Sequence, residues 1–503
     1  MQLNQRVYEA QVKSSNPSQE LPEKVLQFGE GNFLRGFVDW MIQEMNKQGL
    51  FNGRVVAIQP TPHGKVVPKL NAQNGLYTYI QKGIHNGETI DDAEVITSIS
   101  RGINPYQDWD KVLEVAASPD IEVVFSNTTE AGLVYEKEPY EPEKAPLSFP
   151  GKLALALHHR YLAKLPGWLI VPCELVDNNG EFLQSIVVMK AKDWELSEDF
   201  VRWVQEENQF CNTLVDRIVP GYPRGEETTY EERLGYSDKL VVIGEPYHLF
   251  AIEGDEKAEQ VLPFVDAGLN VKWGDVAPQR TIKVKLLNGP HTMLSAVGYL
   301  AGVDTVGEAM RHPVLRPFVE NALSSELIPA FDFDEQEKQA FAQSVIERFE
   351  NPFTQHYLTD IGMNATQKWK SRLLPSLFTY VEKEQQVPPL LALSFAAQLL
   401  YGRPVARDGA FLTGKRENDL YQIRDQDEAI ALFEREWSTF DIEQQSIDSF
   451  VQNILAEKDV WGSDLNEITG WKDAVVSNVT AMLQEGVLET ISQHIGPYSK
   501  GRK

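Results

Sequence analysis

A chain of 503 residues with 42% hydrophobic residues is too long for one hydrophobic core and has a globular composition, so two large domains are expected. Its formal charge of −26 argues against nucleic acid or an anionic membrane as partner, and obliges any anionic substrate to be met by a local cluster of cations. Cys173 and Cys211 are the only cysteines, which excludes a disulfide framework or a Cys-rich metal site, and no run approaches the ~20 apolar residues of a membrane span. The polar start MQLNQRVYEA carries no apolar signal segment, so a cytoplasmic location is expected.

Along the chain, the short apolar strand Val25, Leu26, Phe28 runs into Gly29-Glu30-Gly31 and then an amphipathic helix bearing Phe33, Leu34, Phe37, Val38 and Met41. Strand, Gly-x-Gly and helix is how a Rossmann unit brings a pyrophosphate to free backbone N–H groups. The third glycine is displaced to Gly36. Residues 54–59 (RVVAIQ) form the second parallel strand, with Gln59 where NAD enzymes commonly carry an acid for the ribose hydroxyls. No arginine follows to meet a 2′-phosphate. The strand at 121–127 ends in Thr128-Thr129-Glu130, small polar residues where open α/β sheets place ligands, and the strand at 168–175 ends in Asp177-Asn178-Asn179-Gly180. That Asn-Gly predicts a turn and can also present an amide to a substrate. Asp216 and Arg217 lie together among apolar residues, a pair suited to organising a site or a domain joint. Residues 240–246 read as the last strand of the first domain.

From about residue 272 the pattern changes to long amphipathic helices, at 314–327, 335–349, 390–400, 428–437 and 442–457. The fold class is therefore α/β, with a Rossmann-type, mostly parallel dinucleotide-binding domain over 1–271 and a mainly helical substrate domain over 272–503. The segment TIKVKLLNGPHTMLS opens the second domain with Lys283, Asn288 and His291. On a regular helix they fall near 0°, 140° and 80°, within one broad face. The lysine can accept a proton from an alcohol, and the amide can donate to an oxygen gaining negative charge. Pro290 removes a helix donor and disfavours the helical conformation at Gly289, predicting a kink there.

Phe28-Gly29-Glu30-Gly31-Asn32-Phe33-Leu34-Arg35-Gly36, the run TLVDRIVPGYPR, and Lys283-x4-Asn288-x2-His291 together resemble the polyol-specific long-chain dehydrogenases, the mannitol dehydrogenase family. FSNTTEAG, PCELVDNNG and DTVGEAM extend the resemblance over most of the chain. It implies metal-independent hydride transfer between NAD(H) and a small molecule. Lys283 would be the general acid/base, Asn288 and Asn179 would steady the reacting oxygen, and His291 would position it. Asp216 would lie on the substrate side, and Phe28, Gly29, Gly31, Asn32, Phe33, Gln59, Thr128 and Glu130 on the cofactor side. Mannitol enzymes carry an Arg and, three residues later, a His ahead of a lysine; here those positions read Asp360 and Met363, while the lysine stands as Lys368. This puts mannitol or fructose as substrate in doubt, and the resemblance implies a hexuronate/aldonate substrate, tagaturonate and altronate, with fructuronate the alternative. Lys368 and Arg372, one helical turn apart, are the candidate carboxylate ligands.

Overall fold

The computed structural model describes residues 1–12, 21–440 and 447–495. It divides into two compact units, Met1–Gln279 and Arg280–Lys503.

The first unit is built on six parallel strands, β1 (Glu23–Phe28), β2 (Arg54–Ile58), β3 (Ile99–Ile103), β4 (Val123–Ser126), β5 (Leu169–Pro172) and β6 (Gln209–Phe210). Their order is β3-β2-β1-β4-β5-β6, the doubly wound dinucleotide-binding order. Both faces are covered, which is why the central strands β1, β2, β4 and β5 read as near-continuous apolar runs rather than alternating ones. Val25 of β1 packs with Phe37, Val38 and Met41 on one side. Leu26 and Phe28 pack on the other with Trp109, Phe149 and Leu153 from the helices Trp109–Ala116 and Phe149–Leu162. The segment at 240–246 is not the last strand of this unit. Val242–Gly244 joins a separate sheet, parallel to Tyr77–His85, which pairs antiparallel with Glu88–Ile96. Two later strands, Leu249–Ile252 and Val271–Trp273, form a third sheet with Thr213–Asp216.

The second unit is mainly helical. Its longest helical run is Ala277–Leu300, which begins just before the unit boundary. The helices expected from sequence are present at Leu315–Asn321, Glu335–Phe349, Pro389–Tyr401, Asp427–Thr439 and Ile447–Leu455, while residues 442–446 of the last expectation lie outside the described residues. Phe395 sits within 5.0 Å of the Trp369 and Trp461 rings and 5.5 Å of Trp471, the aromatic centre of this core. The antiparallel sheet Pro404–Asp408, Phe411–Arg416, Asp419–Ile423 was not expected; it turns at Gly409 and Glu417, both at positive φ. Among the described residues no helix is long and apolar enough to cross a membrane.

Candidate functional site

In the first unit the strand order reverses between β1 and β4, the place where open parallel sheets take ligands at their carboxyl ends. Gly29 follows β1 at φ +126°, and a Cβ there would lie 2.9 Å from Asn127 O, so only glycine fits. At Gly31 an added Cβ would meet nothing within 4 Å, leaving exposed backbone that a ligand can approach. Gly36 takes the packing part of a third glycine: its Cβ would be 2.9 Å from Val219 Cγ1 and 3.0 Å from Val242 Cγ1. Burial pushes the carboxyl of Glu30, between the first two glycines, up to about 7, which weakens its repulsion of a phosphate.

The other cofactor-side candidates divide. Asn32 is exposed but its Oδ1 accepts from Arg35 Nη2 at 2.8 Å. The Phe28 ring is wholly buried against Phe149, so only its backbone reaches the loop, and Phe33 stacks on Phe37 at 5.0 Å. Gln59 is buried, donating through Nε2 to Thr61 O at 2.7 Å, while its Oε1 has no partner among the described residues. Thr128 donates from both N and Oγ1 to Glu174 Oε1, at 2.9 and 3.1 Å, and Ser126 Oγ donates to Glu174 Oε2 at 2.9 Å. Glu174 thus ties the ends of β4 and β5 together, a role sequence reasoning missed although an acid closing the apolar run WLIVPC was its signal. Glu130 is exposed at the start of a 3₁₀ turn.

Asn179 is fully buried and its amide is engaged throughout. Nδ2 donates to Pro172 O, Glu174 O and Thr213 Oγ1 at 3.1, 3.0 and 2.9 Å, and Oδ1 accepts from Gly180 N and Thr213 N at 3.0 and 2.8 Å. A substrate contact from Asn179 therefore requires one of these bonds to be exchanged. Asp216 is buried at the end of its strand. Its neighbour Arg217 donates to Glu245 O and Gly36 O, both at 2.9 Å, and lies 4.0 Å over the Trp40 ring.

In the second unit the helix carrying the Lys-Asn-His motif is not regular. Ala277–Lys283 is α-helical, Val284–Asn288 is a π turn, and the α-helix resumes at Gly289. The Gly289 N–H bonds to Val284 O, five residues back. A π turn inserts one residue, so Lys283, Asn288 and His291 fall at about 0°, 40° and −20°, a face only roughly 60° wide. Gly289 stays helical at φ −57°, ψ −61° despite the proline that follows it, and the wider turn accommodates the missing proline donor.

His291 lies with its ring 4.1 Å from that of Phe349 and 4.8 Å, edge-on, from that of His356. Burial, and then His356, Arg348 and Arg372, hold it well below its usual pKa, as a neutral imidazole. Lys368 and Arg372 sit on a second helix of the same construction, with Ala365–Lys368, a π turn Trp369–Leu373, and α-helix from Leu374 to Glu384. The two π turns touch. Arg372 Nη1 donates to Thr292 Oγ1 at 3.2 Å, and Lys368 Nζ donates to Ile361 O at 2.7 Å. Burial lowers both pKa values; for Lys368, Arg372 adds to it and Asp425 and Asp360 oppose it, whereas no acid offsets Arg372.

Residues 23–263 match the mannitol dehydrogenase Rossmann domain, and residues 275–485 the mannitol dehydrogenase C-terminal domain. The altronate oxidoreductase of Halalkalibacterium halodurans is 53% identical over 481 residues, 94% of each chain, and that of Bacillus subtilis 38% identical over 497 residues, 98% of each. Among solved structures, Pseudomonas fluorescens mannitol 2-dehydrogenase, in ternary complex with NAD and D-mannitol, aligns with TM-score 0.67 at 20% identity, covering 98% of this chain and 99% of that one. Identity this low speaks for the fold alone.

Proposed function

The chain belongs to the mannitol dehydrogenase family of oxidoreductases acting on CH–OH groups, and we propose that it interconverts D-tagaturonate and D-altronate with NAD(H). The observation that carries this reading is the π turn placing Lys283, Asn288 and His291 on one helix face, beside Arg372, a cation with no acid partner among the described residues. The 53% identity with an altronate oxidoreductase supports the choice of sugar acid.

The first unit fits a dinucleotide: the strand order has the switch point, Gly29 makes the turn, and Gly31 leaves exposed backbone for close approach. NAD(H), when bound, supplies or accepts the hydride. Gly29, Gly31 and the backbone after Thr128 would hold it, and Gln59, with no arginine after it, suits an unphosphorylated ribose. In oxidation Lys283 Nζ takes the proton of the alcohol oxygen; in reduction it returns a proton to the ketone oxygen. Asn288 donates its amide hydrogen to that same oxygen, where negative charge gathers. His291, neutral and fixed by Phe349 and His356, orients it. Lys368 and Arg372 take the carboxylate, the guanidinium offering a planar fork that a neutral polyol does not need. Asn179 ties the end of β5 to the strand Thr213–Asp216, at whose end Asp216 lies buried.

The test is NADH absorbance with tagaturonate, fructuronate and fructose side by side, repeated with NADPH. Tagaturonate with NADH should give the highest kcat/KM. Faster turnover of fructuronate or fructose moves the substrate assignment, and a preference for NADPH overturns the reading of Gln59.

A further inference from the structure

Gln27 is a polar side chain in the otherwise apolar middle of β1, wholly buried on the face covered by the helix Val38–Lys47. Its Nε2 makes two bonds, to Gly29 O at 3.0 Å and to Asp39 Oδ2 at 3.2 Å. Asp39, in the first turn of that helix, is also wholly buried. The remaining oxygen of each group, Gln27 Oε1 and Asp39 Oδ1, is buried without a partner among the described residues.

An amide and a carboxylate cannot both be satisfied by such a pair. Once the N–H···O bond is made, the two leftover atoms are both acceptors, and burying either unpaired is costly. An amide and a carboxylic acid can be satisfied, because a proton on Oδ1 supplies an O–H donor that Gln27 Oε1 can accept. We infer that Asp39 is a neutral acid in the folded protein, donating its O–H to Gln27 Oε1, and that this paired amide and acid hold the Gly29 carbonyl and thereby the dinucleotide loop in position.

The surroundings agree. Burial pushes the Asp39 carboxyl up to about 7, against the lowering effects of Gln27 and Arg35. The ionisable groups facing it are Arg35, from the helix Asn32–Gly36, and Tyr77, from the strand Tyr77–His85. Arg35 is occupied by Glu30 O, Leu240 O and Asn32 Oδ1. The Tyr77 hydroxyl donates to Arg35 O at 2.7 Å. Neither is the missing donor. Gly29 also donates its N–H to Ile58 O at 2.9 Å, so with Gln27 on its carbonyl the peptide groups on both sides of this positive-φ residue are fixed just ahead of Gly31. Asp39 is a positioning residue that touches no substrate, and its effect on cofactor rests on the dinucleotide reading of this loop.

Two measurements test it. Infrared difference spectra between wild type and Asp39→Asn should show the carbonyl stretch of a neutral carboxylic acid at about pH 6, fading as pH rises through about 7. By fluorescence titration, wild-type Kd for NADH should rise roughly threefold or more between about pH 6 and about pH 8.5, as the pair loses its proton. The side-chain amide of that variant offers Gln27 Oε1 an N–H at every pH, so D39N should keep the tight, low-pH affinity throughout, while Gln27→Leu binds weakly at both ends. Absence of the neutral-acid band, or the same pH dependence in wild type and D39N, overturns the inference. A wild type that shows the band but binds no NADH keeps the proton on Asp39 and overturns the cofactor reading instead.

Discussion

Arg372 donates to the hydroxyl of Thr292, the residue next to His291, and among the described residues that is its one hydrogen bond to a side chain. Held partly out of water beside a neutral imidazole, its guanidinium keeps free donors for a planar anion, and an arriving carboxylate recovers part of the desolvation cost. Arg372→Met and Lys368→Met should therefore lower kcat/KM on tagaturonate selectively, by a factor corresponding to roughly 1.5–3 kcal/mol for a charged hydrogen bond. The uncharged ketose counterpart, assayed in parallel, should be nearly indifferent. Equal losses on both substrates, or none, remove these two residues from the carboxylate site.

Lys283→Ala should lose roughly 10²–10⁴-fold in kcat, the usual scale for a general acid–base group, with NADH affinity nearly unchanged. Single-turnover absorbance separates the two quantities. Retention of more than about a tenth of wild-type kcat, ~1.4 kcal/mol in the barrier, would mean that another group moves the proton.

The four central strands of the parallel sheet, β1, β2, β4 and β5, were legible because strands buried on both faces leave apolar runs, whereas the edge strands β3 (ISRGI) and β6 (QF) carry no such run and were not read. The motif residues were legible too, but not their geometry. A period of 100° per residue spread Lys283, Asn288 and His291 over a wide face, and the π turn that gathers them has no signature in hydrophobic period. It did leave a chemical trace: Pro290 and Pro375 each stand seven residues after a lysine, where a helix lacking one donor widens by a residue. The small antiparallel hairpins escaped because half-exposed hairpins are specified by turns. Asn86-Gly87 and Asp408-Gly409 were such signals, and Gly414, whose Cβ would lie 2.3 Å from the Tyr421 ring, marks a strand shaped by one large neighbour. Whether a buried asparagine serves a ligand or its own backbone, as at Asn179, is decided by partners distant in sequence.

Gly29 and Gly31 make opposite demands, and alanine separates them. Gly29→Ala places a Cβ 2.9 Å from Asn127 O at φ +126°, which should cost ~1–3 kcal/mol of stability and weaken NADH binding as well. Gly31→Ala adds a Cβ to open space at φ −71°, so stability should change by less than ~0.5 kcal/mol. NADH binding should nevertheless fall, because the methyl group occupies the approach of the pyrophosphate. A Gly31→Ala protein that binds NADH like wild type would place the pyrophosphate elsewhere.

Glu326 caps the helix Pro389–Tyr401, accepting from Leu390 N at 2.6 Å and Leu391 N at 2.8 Å. Those bonds favour the carboxylate, but burial outweighs them and pushes its pKa up to about 7. For an acid raised in the folded state, the contribution to stability is complete below the unfolded value and is lost as pH rises through the folded one. Between about pH 4.5 and about pH 7 this residue should therefore remove up to ~3 kcal/mol, with no further change above. Glu326→Gln cannot ionise and lacks that slope, though it leaves one of the two N–H groups facing an amide nitrogen. The capped helix carries Phe395, ringed by Trp369, Trp461 and Trp471, so tryptophan fluorescence reports its unfolding. The wild-type midpoint, relative to the variant's, should fall steadily from about pH 5 to about pH 7 and then level. A difference that is flat, or that moves in favour of glutamate as pH rises, would mean that the two backbone N–H groups outweigh burial and that Glu326 is an ionised cap.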